Sequence, residues 1–93
     1  MYNSEIPSHA TDSAILAAAL RFVVAALPPG REWPELEGIR FLAATPNPQA
    51  ALAAPHLLAA ALLALHRFGI ALNDEGYEQE AAAADDLGFR LAG

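Results

Sequence analysis

The sequence predicts an all-α fold: a small bundle of three long helices plus one short helix, built around a central apolar helix. Three observations carry that expectation. Of the 93 residues, 55% are hydrophobic, and Ala (23) and Leu (14), both strong helix formers, dominate them. Apolar residues recur at three- and four-residue spacing through three long stretches. Pro- or Gly-containing breaks at residues 28–30, 45–48 and 73–76 divide those stretches. A chain of this length makes one domain and buries roughly two-thirds of its unfolded surface. Residues 11–93 are expected to form that single helical domain. Residues 1–10, polar and carrying Pro7, are expected to be a flexible N-terminal segment.

Thr11, Asp12 and Ser13 are N-cap types ahead of an apolar pattern, so a first helix is expected over residues 12–27. At about 100° per residue, Leu16, Leu20, Val23, Val24 and Leu27 share one face and Arg21 lies on another. Pro28-Pro29-Gly30 ends this helix. Pro34 suits the first position of a short helix, with Glu35 and Glu37 complementing its positive end. Leu36, Ile39 and Leu42 or Ala43 make its inner stripe. Residues 38–44 also alternate as a strand would, and residues 88–92 nearly copy them. A two-stranded ribbon backed by helices is therefore the alternative.

Asn47 can cap, and Pro48 can open, a central helix that runs to Leu72. Pro55 removes one of its backbone hydrogen bonds, so a kink or a break is expected near residues 51–55. Leu57, Leu58, Leu62, Leu65, Phe68 and Leu72 form a wide face, with Leu63 and Ile70 elsewhere and His66 and Arg67 on the more polar side. A helix apolar on nearly every side is normally surrounded by others. After a turn at residues 73–76, the last helix is expected over residues 77–87. Tyr77, Ala84, Leu87 and, if the helix continues, Leu91 would face inward, and Gly88 is the expected stop.

Eleven acids against five bases, all Arg, give a formal net charge of −6. Such a chain has no broad positive field for nucleic acid or anionic membrane, and is attracted to basic surfaces instead. The N-terminus lacks the positive region of a secretory signal. The apolar run over residues 50–65 is 16 residues long, short of the ~20 that span a bilayer, and contains Pro55. A cytoplasmic location is expected. No cysteine is present, so disulfides and thiol chemistry are excluded.

The residue types for catalysis are present but scattered. His56 and His66 are ten residues apart, about 15 Å along a helix, and His9 lies in the N-terminal segment. Two rings meet one ion on a helix only at a spacing of three or four, so no metal and no cofactor is expected. His56 is expected to be partly buried against backbone freed at the kink, and His66 to lie on the surface. All three serines sit at or before the first helix, and neither a nucleophile elbow nor a phosphate-cradling glycine loop occurs. The carboxylate pairs Asp85-Asp86 and Glu78/Glu80 have no second domain with which to build a cleft. A non-enzymatic protein is expected.

The acids are not scattered. Asp74, Glu75, Glu78, Glu80, Asp85 and Asp86 fall within 13 residues. At about 100° per residue, Asp74, Glu78 and Asp85 point within about 40° of one another, with Glu75 and Asp86 beside them, a stripe about 18 Å long. Such a row can engage Arg and Lys side chains that otherwise hold phosphates. Acids also stabilise helix starts and coat outer helix faces with no further role. Glu35 and Glu37 form a second patch, and Trp33 is either an interface anchor or a lid over the helix ends.

By elimination, the expected function is that of a non-enzymatic inhibitor or adaptor. It would dock Asp74, Glu75, Glu78, Asp85 and Asp86 onto the basic surface of a nucleic-acid-binding protein, without touching nucleic acid itself. In size and charge alone, the chain is similar to small anti-CRISPR proteins, antitoxins and immunity proteins. Two alternatives stand beside it. One is a structural or regulatory homo-oligomer, such as a homodimer that covers the central helix. The other is a small-ligand domain with a pocket near His56 and Tyr77.

Overall fold

A computed structural model describes residues 12–26 and 35–93. Among them it has five helices and no strand: α1 (Asp12–Ala26), α2 (Leu36–Ala44), α3 (Pro48–Ala51), α4 (Pro55–Asp74) and α5 (Glu78–Ala92). The all-α bundle around an apolar central helix is therefore the fold. The ribbon alternative is overturned, because residues 38–44 lie inside α2 and residues 88–92 inside α5. Leu27, Pro34 and Trp33 lie outside the described residues.

The predicted break at residues 51–55 is a full break. Asn47 precedes the one-turn helix α3, with Pro48 in its first turn; the Asn47 side chain makes no capping hydrogen bond, contrary to expectation. Ala54 is extended (φ −80°, ψ 122°), the conformation that a following proline imposes on its neighbour. Pro55 then opens α4 from the first turn, where its missing N–H costs nothing. The same rule ends α2. Thr45, ahead of Pro46, is extended, and its hydroxyl donates to the Phe41 carbonyl at 2.8 Å.

At its far end α4 runs past Leu72 to Asp74 and closes on Gly76, which has φ 89°. The Tyr77 N–H bonds the Leu72 carbonyl at 2.9 Å and the Gly76 N–H bonds the Asn73 carbonyl at 3.1 Å. These two bonds define a Schellman end, whose left-handed position favours glycine. They reverse the chain so that α5 returns antiparallel along α4.

Helix α4 packs against α1, α2 and α5. Its fully covered face is Ala60, Ala61, Ala64 and Leu65, flanked by Leu57, Phe68, Gly69 and Leu72. This corrects the expected wide leucine face, since Leu58 and Leu62 are only half-buried; Ile70, expected off that face, is 50% exposed. Small residues line the contact because they let helices approach closely. A Cβ placed on Gly38 of α2 would lie 3.0 Å from the Ala60 Cβ. From α1, Ile15, Leu16, Ala18, Ala19, Leu20 and Val23 enter the core; Val24, expected inward, is exposed. The Phe22 and Phe68 rings join α1 to α4 at 5.4 Å between centroids. Aromatic pairs at that distance add about 0.5–1.5 kcal/mol beyond their burial. Ser13 Oγ donates to Gln49 Oε1 at 2.8 Å and holds α3 against α1.

By length and composition, α4 is apolar and long enough (20 residues) to cross a membrane. Core helices of soluble proteins pass the same test, and here one side of α4 is buried against three other helices.

Candidate functional site

Apart from Asp12 at the start of α1, the described acids separate into three places. Glu35 sits half-buried at the N-cap of α2 and Glu37 is exposed in its first turn. They lie at the end of α4 where Glu37, Phe41, His56 and Leu57 line one shallow groove. Asp74 and Glu75 occupy the opposite end, about 27 Å away along α4. Glu78, Glu80, Asp85 and Asp86 belong to α5. The expected single stripe from Asp74 to Asp86 is therefore corrected. Gly76 interrupts the helix, so helical phase does not carry from Asp74 to Glu78. Glu35 and Glu37 form a separate patch, not an extension of α5.

The acids also differ in what holds them. Arg90 binds Asp12 with two hydrogen bonds, of 2.8 and 3.0 Å, and Asp86 with one of 2.9 Å. The guanidinium beside it holds the Asp12 carboxyl below its usual value. Asp12 first, then Asp86, raise Arg90 further above its own. Asp86 is thus part of a clamp between α5 and the start of α1. Glu78 and Asp85 have no salt bridge among the described residues. At the start of α5, Glu78 and Glu80 complement the helix dipole. Asp74 and Glu75 sit at the negative end of α4, where the dipole opposes them, so helix stability does not account for them.

A feature absent from the sequence-based expectation stands beside Asp85. Contrary to expectation, α5 does not stop at Gly88 but runs on to Ala92, so Phe89, three turns past Glu78, is in phase with it. Glu78, Asp85 and Phe89 fall within about 40° on the outward face. The Phe89 ring is 82% exposed, more than any other large apolar side chain among the described residues. Between Phe89 and α4 runs an open groove of about 540 Å³, with Leu62, Leu65 and Gly88 along it and His66 and Asp85 at one end. His66 and Asp85 also line the next depression, of about 300 Å³, which reaches Ile70 and Glu78. The two depressions form one track along the α4–α5 seam. Asp85 lies close over α4, since a Cβ on Gly69 would come within 2.8 Å of its Oδ1.

His66 is exposed as expected; His56, expected to be partly buried, is exposed as well. His56 and Tyr77 are at opposite ends of α4, so the pocket expected between them does not form. Among the described residues no group of three His, Asp or Glu side chains is placed to hold a metal ion. No family model, curated protein or solved structure matches the chain.

Proposed function

We propose that this chain is a non-enzymatic protein-binding inhibitor or adaptor that docks the outward face of α5 onto the basic surface of a partner that binds nucleic acid. One observation carries the reading: Glu78 and Asp85, without salt bridges among the described residues, share their face with the exposed Phe89 ring. Interfaces of this kind combine an aromatic anchor with flanking charges that steer and orient the partner. The acids at residues 74 and 75 extend the same negative field around the corner. Asp86, committed to Arg90, is better read as part of the scaffold. The reading places the protein where such partners work, in the cytoplasm, in the manner of the anti-CRISPR, antitoxin and immunity-protein types.

The homodimer reading draws on the exposed side of α4, where Ile70 is uncovered. A two-fold interface over that face would gather Glu78 and Asp85 of both copies into one patch, and like charges oppose it.

The test is capture from a nuclease-treated bacterial lysate, comparing the chain with an Asp74→Ser, Glu78→Ser, Asp85→Ser variant. The captured protein should be one that binds nucleic acid, and its nucleic-acid binding should be inhibited. Capture should fall with the triple variant, while the helical circular-dichroism signal survives, and should weaken with salt. Equal capture by the triple variant, or capture indifferent to salt, refutes the acidic-face reading.

A further inference from the structure

We infer that the α4–α5 track seats an arginine-bearing amphipathic helix of the partner, with an arginine stacked on Phe89 and paired with Asp85. The inference rests on the docking function proposed above and makes it specific. A flat acidic surface would accept any cation. This track has a second, chemically different requirement. Its floor is apolar, made by half-buried Leu62 and Gly88 over the buried Leu65. Its wall is the Phe89 ring, exposed on the same groove. Asp85 and Asp86 are its acidic members; Asp86 is taken by Arg90, and Asp85 also lines the depression that reaches Glu78.

The chemistry selects arginine over lysine. A guanidinium is planar, so one face can stack on an aromatic ring while its edge donates two parallel hydrogen bonds to a carboxylate. An ammonium is a hydrated point charge that gains the attraction but not the stack. The seam between two antiparallel helices is a groove into which a third helix lays an apolar face. Glu78 lies about 10 Å from Asp85 along α5, some two turns of a docked helix, so two arginines spaced along it can meet both acids. Charge complementarity also argues against a second copy as occupant, because the chain carries −6 and this track is acidic.

The test titrates the full chain, labelled for NMR, with a synthetic helical peptide that carries Arg on one face and Leu on the other. Two control peptides replace every Arg by Lys, or every Leu by Gln. The Arg/Leu peptide should bind saturably, with amide shifts concentrated at Leu62, His66, Asp85, Gly88 and Phe89. Phe89→Ala, a change at an exposed helical position, should weaken binding about three- to tenfold, in line with the loss of a cation–π contact. Asp85→Asn and both control peptides should weaken it to a similar degree.

Full affinity in Phe89→Ala, or equal affinity of the Lys peptide, overturns the inference. So do shifts spread over Glu37 and Glu75 alike, absence of saturable binding, or sedimentation as a dimer through this face. If Asp85→Asn weakens binding and Phe89→Ala does not, the acidic docking function stands and the arginine seat falls. If neither matters and salt has no effect, both fall.

Discussion

The two sides of α4 follow different packing rules. On one side Ala60, Ala61 and Ala64 are fully covered, and α1, α2 and α5 press against them. On the other, Ile70 is half-exposed, Leu62 is partly covered, and His66 faces solvent. The larger apolar side chains are therefore not all on the side that folds the protein. Close helix approach is governed by what can fit between two backbones, and Ala and Gly fit best. Leu65, Phe68 and Leu72 fill the wider spaces at the edges of that contact. The leucine and isoleucine on the other side are left at the surface.

That contrast can be broken most strongly at Leu65, which is 1% exposed. Leu65→Ala should lower unfolding free energy by about 3 kcal/mol in a denaturant titration, as buried leucine deletions do. Ile70→Ser, on the open side, should cost under about 1 kcal/mol. Equal losses at the two positions would mean that the open side is covered in solution.

A smaller and sharper test uses two glycines that share a helical conformation but not a neighbourhood. Gly38→Ala presses a methyl group against Ala60 at 3.0 Å, and neither helix backbone can yield cheaply. It should destabilise by about 1 kcal/mol, the overpacking cost less the helix-propensity gain. Gly88→Ala meets Leu65 at 3.9 Å, an ordinary contact, and should stabilise by about 0.5–1 kcal/mol. Opposite signs in thermal unfolding are the expected result.

The smallest effect belongs to the clamp that joins the start of α1 to the end of α5. The Asp12 carboxyl is held below its usual value by the hydrogen bonds of Arg90, then by its charge. Its contribution is complete above the unfolded value of about 3.9 and is lost as pH falls through the lowered folded value. Asp12→Asn should therefore be slightly less stable than the parent at pH 7 in low salt. The two stability curves should converge in acid, as pH falls through the lowered folded value, and in molar salt. A difference that persists in acid would assign Asp12 to helix initiation instead of the clamp.

Much of the architecture was legible locally. Pro46, Pro48 and Pro55 announced the boundaries, because a proline dictates the conformation of the residue before it wherever it occurs. Gly76 announced the end of α4 for the same local reason. Gly88 misled, since a glycine stops a helix only where the chain must turn, and here the seam with α4 holds α5 straight through it. Treating Gly88 as a stop hid Phe89, although its eleven-residue spacing from Glu78 was in plain view. The acids were all visible in the sequence, but not their grouping. The Gly76 turn divided them, and Arg90 removed Asp86 from the exposed set.

The sequence by itself determined the helical class, the boundaries that proline sets and the acidic balance. Each follows from propensity, proline geometry and charge count, which act over a few residues or over composition. Tertiary structure alone decided which side of α4 is closed, that Asp12 meets Arg90 across 78 residues, and that Phe89 stands beside Asp85 on an open groove. Those outcomes depend on how closely whole helices approach, and helix separation is set by side chains from two segments at once.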